Sequence, residues 1–148
     1  MIETIRKIQP LTHQNKSTKI GSVLTLSGSF IAYVVDLKLI ELLEYGRRDR
    51  TSIKLSGHSE EIKCMKFSGN ISEELILCSC SIDRIIIWNV TEVATSYEKN
   101  WKVLKKDLDF EPNDCSFHPY NESIAVCYGD TLAIFDINVN LHKKLVVL

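Results

Sequence analysis

Glycine and proline are scarce in this sequence, which has 6 glycines and 3 prolines among 148 residues. Their scarcity excludes collagen-like and low-complexity chains. Long apolar runs are missing as well: the longest, Phe30 to Val35, is far shorter than the roughly 20 residues that cross a bilayer. No membrane helix is predicted, and a membrane is not expected among the partners.

An excess of charge of one sign is also lacking. The 18 Lys and Arg residues face 19 Asp and Glu residues, which gives a formal net charge of −1. Nonspecific nucleic-acid binding needs a basic surface, so nucleic acid is not expected as a partner. The 45% of hydrophobic residues are enough to build a globular unit with a buried core.

Motifs of catalysis and of metal binding are missing too. The sequence has no Gly-x-Ser-x-Gly, no phosphate-binding loop and no Gly-rich dinucleotide turn. His13, His118 and His142 have no companion at a spacing that would suit a metal ion. We therefore predict a protein that is not an enzyme, with no catalytic residue, no cofactor and no metal ion.

The cysteines form an odd set without a Cys-x-x-Cys pair. The N-terminal residues mix charged with apolar side chains, unlike a secretory signal. These features predict free, mostly buried thiols in a reducing cytoplasm, with the nucleus as the alternative compartment and a metal or redox role as the alternative for the cysteines. The five are Cys64, Cys78, Cys80, Cys115 and Cys127.

Short runs of β-forming residues separated by polar turns extend along the chain, and they predict an all-β protein. The predicted strands are Val23–Leu26, Phe30–Val35, Lys38–Leu43, Thr51–Leu55, Ile62–Phe67, Leu75–Ser79, Ile85–Trp88, Trp101–Leu104, Asp114–Phe117, Ser123–Cys127, Leu132–Phe135 and Lys143–Val147. One stretch is ambiguous: the leucines and glutamates of Val35–Arg48 also fit an amphipathic helix.

The sequence repeats itself. Asp36, Asp83 and Asp130 are spaced 47 residues apart, and each lies in the turn between two predicted strands. A strand, turn and strand unit recurring at this period is typical of repeat architectures, including propellers.

The middle repeat resembles a known family. It opens with Ser56-Gly57-His58 and closes with Ile85-Ile-Ile-Trp88-Asn89, and this pattern resembles a WD40 repeat, with Trp-Asn where the family has Trp-Asp. The resemblance is specific across Thr51–Val90 and implies four-stranded blades of a β-propeller.

The family also implies a hydrogen-bonded chain of four side chains inside such a blade. Carried over to this sequence, Asp83 accepts from the imidazole of His58, which bonds the hydroxyl of Ser79, and that hydroxyl accepts from the indole of Trp88. The structural tetrad is thus His58, Ser79, Asp83 and Trp88. Arg84 follows where family members usually have glycine, so Ser81 is an alternative to Ser79.

The flanking repeats keep the shape and lose the tetrad. Val126 and Phe135 stand at the Ser and Trp positions of the third repeat, and Leu42 or Leu43 stands at the Trp position of the first. We expect these two blades to rest on apolar packing alone.

The predicted fold is all-β, with about three four-stranded WD40-type blades in an open or partial β-propeller. Closed propellers have four to eight blades, so uncovered blade edges are expected to favour association. The divisions are an N-terminal outer strand at 1–10, a degenerate blade at 20–55, a clear repeat at 56–104 and a second degenerate blade at 105–148.

The resemblance implies a noncatalytic scaffold that binds other proteins through loops on the rim of the propeller. The alternative is a truncated product or fragment of a larger WD-repeat protein, with no binding function of its own. The candidate rim residues are Lys38, Glu60, Glu61, Ile82, Arg84 and Asp130.

Overall fold

The structure is a computed structural model that describes residues 24–46, 52–69, 74–96, 101–120, 122–138 and 142–146. These residues form twelve strands and one short helix, in the following order along the chain. The elements are β1 (Leu24–Ser27), β2 (Phe30–Val35), β3 (Leu39–Glu44), β4 (Ser52–Ser56), β5 (Ile62–Phe67), β6 (Ile76–Ser81), β7 (Arg84–Asn89), α1 (Val90–Ser96), β8 (Trp101–Lys106), β9 (Pro112–Phe117), β10 (Ser123–Tyr128), β11 (Thr131–Asp136) and β12 (His142–Val146).

The strands form three antiparallel sheets of four, each pairing consecutive strands. The first sheet contains β1 to β4, the second β5 to β8 and the third β9 to β12. The predicted all-β fold of three four-stranded blades is confirmed. The expected outer strand at 1–10 lies outside the described residues.

The helix considered for Val35–Arg48 is wrong. Strand β3 pairs with both β2 and β4, and alternation sends Ile40 and Leu42 to one face and Glu41 to the other. The chain turns sharply before β3, where Asp36 and Leu37 have φ angles of 51° and 61°. A two-residue period of apolar and charged side chains fits a strand better than a helix.

Helix α1 was not predicted. Asn89, the last residue of β7, accepts a hydrogen bond at Oδ1 from the backbone N–H of Glu92 over 3.2 Å, which is an N-cap. Val90 and Val93 then pack into the core. The helix is seven residues long, and no helix among the described residues is long and apolar enough to cross a membrane.

The second sheet is covered on both faces. Leu77, Ile86 and Trp88 pack against the first sheet, while Ile85 and Ile87 point the opposite way, toward the third sheet. Successive residues of β7 therefore serve two different cores, as strand alternation requires. This explains why the run Ile85–Trp88 is apolar throughout.

Strands β1, β5 and β9, each the first strand of its sheet, lie side by side. Backbone hydrogen bonds between sheets fix the start of β5 and the loop before β9. The backbone N–H of Ile62, at the start of β5, donates to the carbonyl of Leu37 in the β2–β3 turn over 2.9 Å. The N–H of Leu108, before β9, donates to the carbonyl of Ile82 in the β6–β7 turn, also over 2.9 Å. The start of β5 and the loop before β9 are thus each bonded to the turn of the preceding sheet.

Candidate functional site

These bonds, together with the contact between Phe110 and Gly129, gather five connections at one end of the sheets, which we call the His58 end. It comprises the β2–β3 turn (36–38), the β6–β7 turn (82–83), the β10–β11 turn (129–130) and the loops 57–61 and 107–111. All six predicted rim residues lie on these segments or directly beside them.

Four side chains join the loop before β5 to strands β6 and β7 at this end. His58 Nε2 lies 2.7 Å from Ser79 Oγ, and Trp88 Nε1 donates to the same oxygen over 2.9 Å. His58 Nδ1 lies 3.2 Å from Asp83 Oδ1. The connectivity assigns the imidazole proton to Nδ1, so that Asp83 accepts from the ring and Ser79 donates to Nε2.

Gly57 allows the loop to pass close over the indole. A Cβ atom at this position would lie 3.0 Å from the Cδ1 atom of Ile86 and 3.1 Å from the ring of Trp88. A glycine before His58 therefore has a steric reason, because a Cβ atom here would require Ile86 or the ring of Trp88 to give way by a few tenths of an ångström.

Asp83 holds the turn between β6 and β7 in place. Its Oδ2 atom accepts from the backbone N–H and the hydroxyl of Ser59, each over 3.0 Å, and from Arg84 Nε over 2.7 Å. Every buried side-chain nitrogen and oxygen among the described residues has a hydrogen-bond partner. The loop and turn are thus fixed by one carboxylate.

Ser81 contacts two of the four residues, His58 and Asp83. Its Oγ atom is 3.1 Å from His58 Nδ1 and accepts from the N–H of Asp83 over 3.3 Å. Only Ser79, of the two serines, contacts both the imidazole and the indole in the bonds of this network.

The order Ser79, His58, Asp83 has the connectivity of a hydrolytic triad, yet its geometry is closed to a substrate. A nucleophilic serine must present its oxygen to the reacting carbon. Ser79 is fully buried, and its oxygen already accepts from Trp88. The trio can fix the blade but cannot attack a bound substrate in this arrangement.

Burial shifts the pKa values of His58 and Asp83 in opposite directions. Desolvation lowers the pKa of His58 below its ordinary value, against the opposing hydrogen bond and charge of Asp83. Burial raises the pKa of Asp83, but hydrogen bonds from Ser59 and His58 outweigh it and hold this pKa below its usual range. A neutral imidazole beside an ionised carboxylate is the state that results near neutral pH.

Stability should therefore fall as the pH drops below the ordinary histidine pKa of about 6.5. Because the pKa of His58 is lower in the folded chain, the unfolded chain binds the proton first as the pH falls. The stability that the neutral imidazole contributes is therefore fully present above about pH 6.5 and is lost as the pH falls from there through the folded-state pKa. We expect the urea midpoint to fall between about pH 7.5 and about pH 5. His58→Ala should flatten this dependence, and His118→Ala, at an exposed histidine, should not. An equal slope in wild type and His58→Ala would contradict the assignment.

The first sheet departs from the expectation that both flanking blades rest on apolar packing alone. In the third sheet Val126 and Phe135 are buried, as apolar substitutes would be. In the first sheet, however, the buried carboxylate of Glu41 accepts hydrogen bonds from the hydroxyls of Tyr33 and Ser52. The expectation is wrong for that sheet, because Glu41 faces away from the second sheet and is paired within its own.

The predicted rim residues differ in how freely they are presented. Lys38, Glu60 and Asp130 are exposed. Glu61 is half-buried and paired with Lys63 over 2.8 Å. The remaining two, Ile82 and Arg84, are half-buried and bonded to the turn or its neighbours through the Ile82 carbonyl and the Arg84 Nε atom.

Phe110 is a surface residue that the sequence reasoning missed. It is 54% exposed, and its ring covers Gly129, whose φ of 58° suits glycine and where a Cβ would lie 2.6 Å from the ring. Its neighbours Asp109, Glu111 and Asp130 are exposed acids. The sequence shows an aromatic residue between two acidic residues in this loop, but only the fold shows that its ring lies against Gly129.

A concave surface lies at the end of the sheets opposite the His58 end. An open groove of about 560 Å³ is lined by β1 and by the ends of β5 and β9, including the exposed Leu24 and Leu26. None of the predicted rim residues lines it.

Cysteines converge between the second and third sheets, where strands β5, β6 and β9 pack together. Free and buried thiols were predicted, and four are found, whereas Cys127 is exposed. Burial raises the pKa of the Cys78 thiol well above its usual range. We call this group the four-thiol cluster; its members are Cys64, Cys80 and Cys115, whose sulfurs lie near one another, and Cys78, which contacts Cys80.

Comparison with known proteins supports the fold. No protein-family model matches the chain, and no curated protein matches it, but 113 solved chains do. One is U3-55K, a WD40 β-propeller protein, which aligns with a TM-score of 0.61 and 18% identity over 82% of this chain. The alignment spans 36% of the U3-55K chain. This likeness shows a β-propeller-like fold.

Proposed function

We propose that this chain is a noncatalytic scaffold that binds other proteins through the His58 end. The observation that carries the proposal is Phe110, an exposed aromatic side chain fixed over Gly129. Rigid aromatic anchors lose little conformational freedom on binding and are enriched among the residues that dominate interface energies. The connections around it are tied together between sheets, so that the surface is preformed.

The charges around Phe110 indicate the chemistry of the partner. Asp107, Asp109 and Glu111 belong to the same loop, and Asp130 lies in the adjacent turn; all four are exposed. Glu111 also contacts Lys63 over 3.5 Å, so part of the acidic charge is balanced. A partner segment that combines an apolar side chain with lysine or arginine complements this surface.

Affinity capture with paired variants tests the proposal. Phe110→Ala removes the aromatic anchor, and Tyr120→Ala is the matched control, because Tyr120 is 86% exposed in the turn after β9, at the opposite end. We expect proteins that wild type and Tyr120→Ala both capture to be lost with Phe110→Ala. For a purified partner, loss of an anchor worth about 2 kcal/mol weakens binding about 30-fold.

Two results would contradict the proposal. If Phe110→Ala and Tyr120→Ala capture the same proteins in equal amounts, the His58 end does not carry the binding. If wild type captures nothing above the background of the beads, the alternative of a piece without binding function of its own is favoured. Added salt should weaken a genuine complex, because the complementary charges lie at an exposed surface.

A further inference from the structure

The four-thiol cluster brings sulfur atoms from three strands to one point. The Sγ atoms of Cys64, Cys80 and Cys115 all lie within 4.8 Å of one another. Cys78 Sγ lies 3.7 Å from Cys80 Sγ. Register explains the convergence: Cys64 is opposite Cys80 in the ladder of β5 and β6, and Cys78 and Cys80 are two residues apart on one face of β6.

Those distances are close to what a tetrahedral metal ion requires. Zinc–sulfur bonds of about 2.3 Å give a tetrahedron whose sulfur–sulfur edges are about 3.8 Å. The distance between Cys78 and Cys80 already matches such an edge. The three distances among Cys64, Cys80 and Cys115 need to contract by at most about 1 Å. Cys78 lies outside that set of three, so its sulfur must also move toward Cys64 or Cys115 for all four to bind one ion.

The donor set selects the class of ion. Four sulfur ligands suit soft or borderline cations and disfavour Mg²⁺ and Ca²⁺, which prefer oxygen. A closed site with four protein ligands leaves no position for substrate, so the ion would serve the structure rather than catalysis. Lys66 lies two residues from Cys64 along β5, and its charge acts on Cys115, which offsets part of the negative charge of bound thiolates.

We propose that the four-thiol cluster binds one Zn²⁺ ion and thereby ties the second sheet to the third. Ligands on β5 and β6 belong to the second sheet, and Cys115 on β9 belongs to the third. Each thiol that binds the ion releases its proton to solvent, so the ion replaces thiol protons and no oxidant takes part. From the sequence, no metal ion was expected at the histidines, and a metal role for the cysteines was only the alternative, because the usual Cys-x-x-Cys spacing is absent.

The test uses the full chain, refolded under reducing conditions with Zn²⁺ or with Co²⁺ as a spectroscopic probe. We expect one equivalent of tightly held metal, a higher melting temperature with Zn²⁺, and cobalt spectra with strong visible bands of a tetrahedral site and sulfur charge-transfer absorption. Refolding with the ion present removes the question of access to a buried site.

Cysteine variants show which thiols are responsible. Cys115→Ala and Cys78→Ala should each weaken zinc binding at least 10- to 100-fold, since even residues that merely support ligands contribute about that much. Cys127→Ala is the control, because its thiol is exposed on β10 and lies outside the cluster. It should keep the full equivalent and the cobalt spectrum.

Wild type alone can overturn the proposal, even if a variant fails to fold. Reduced, folded wild type that takes up no Co²⁺, or that gives a spectrum without sulfur charge-transfer bands, shows that the thiols only pack as small apolar side chains. Binding that survives in folded Cys115→Ala, or that disappears in Cys127→Ala, places the metal elsewhere. Disulfide formation within the cluster under the reducing conditions of the test also overturns it.

Discussion

Trp88→Ala should lower the free energy of unfolding by about 3–5 kcal/mol, the largest effect that we expect from a single substitution. Trp88 is 1% exposed and belongs to the core between the first and second sheets. Its indole also donates to Ser79 and packs on Trp101, with 5.6 Å between ring centroids. Alanine removes this packing, leaves a cavity and deprives Ser79 of its donor.

Urea unfolding followed by far-UV circular dichroism measures this loss. Trp101→Ala is the comparison, because Trp101 is only half-buried on strand β8 and should cost clearly less. Trp88→Phe should fall between wild type and Trp88→Ala, since it retains an aromatic ring but not the N–H group. Equal losses for Trp88→Ala and Trp101→Ala would contradict the central place given to Trp88 in this core.

The strands were predictable because alternation and turns are local properties. Ile40 and Leu42 alternate with Glu41, and the apolar run Ile85–Trp88 fits a strand that is buried on both faces. Predicted and observed strand ends differ by at most two residues. The repeat at 47 residues then indicated sheets of the same kind, and the three four-stranded sheets follow that period.

Other features depend on packing between sheets and were out of reach. The four-thiol cluster joins residues of β5 and β6 to Cys115 of β9, and no local pattern shows that those strands meet. The same is true of Phe110, which becomes part of the His58 end only because its ring covers Gly129 in another connection. Helix α1 was missed for a local reason: seven residues are too short to show a helical period.

The tetrad of His58, Ser79, Asp83 and Trp88 could be predicted from the sequence only in part. Their types and spacing could be carried over from a family resemblance, but the choice between Ser79 and Ser81 could not, because Arg84 follows Asp83 where the family usually has glycine. In the structure both serines are near His58, and only Ser79 also contacts Trp88. The resemblance supplies candidates, and the geometry ranks them.

Ser79→Ala should lower the free energy of unfolding by about 2–4 kcal/mol, although it removes a single oxygen atom. That oxygen is the partner of both Trp88 Nε1 and His58 Nε2, and each buried group left without a partner costs about 1–3 kcal/mol. Ser81→Ala is the matched control at another fully buried serine. It should cost at least about 1 kcal/mol less, because His58 Nδ1 keeps Asp83 as its acceptor, and the other bond lost is the long one of 3.3 Å from the backbone N–H of Asp83.

A double-mutant cycle separates the hydrogen bond from the loss of packing. Ser79→Ala leaves the indole N–H unsatisfied, whereas in Ser79→Ala/Trp88→Phe both members of that pair are gone. The double variant should therefore be more stable than the sum of the two single losses predicts, with a coupling energy of about 1 kcal/mol or more. The cycle is measured from urea midpoints and slopes. Additive losses, or a Ser81→Ala loss as large as that of Ser79→Ala, would show that the bond between Ser79 and Trp88 does not stabilise the blade.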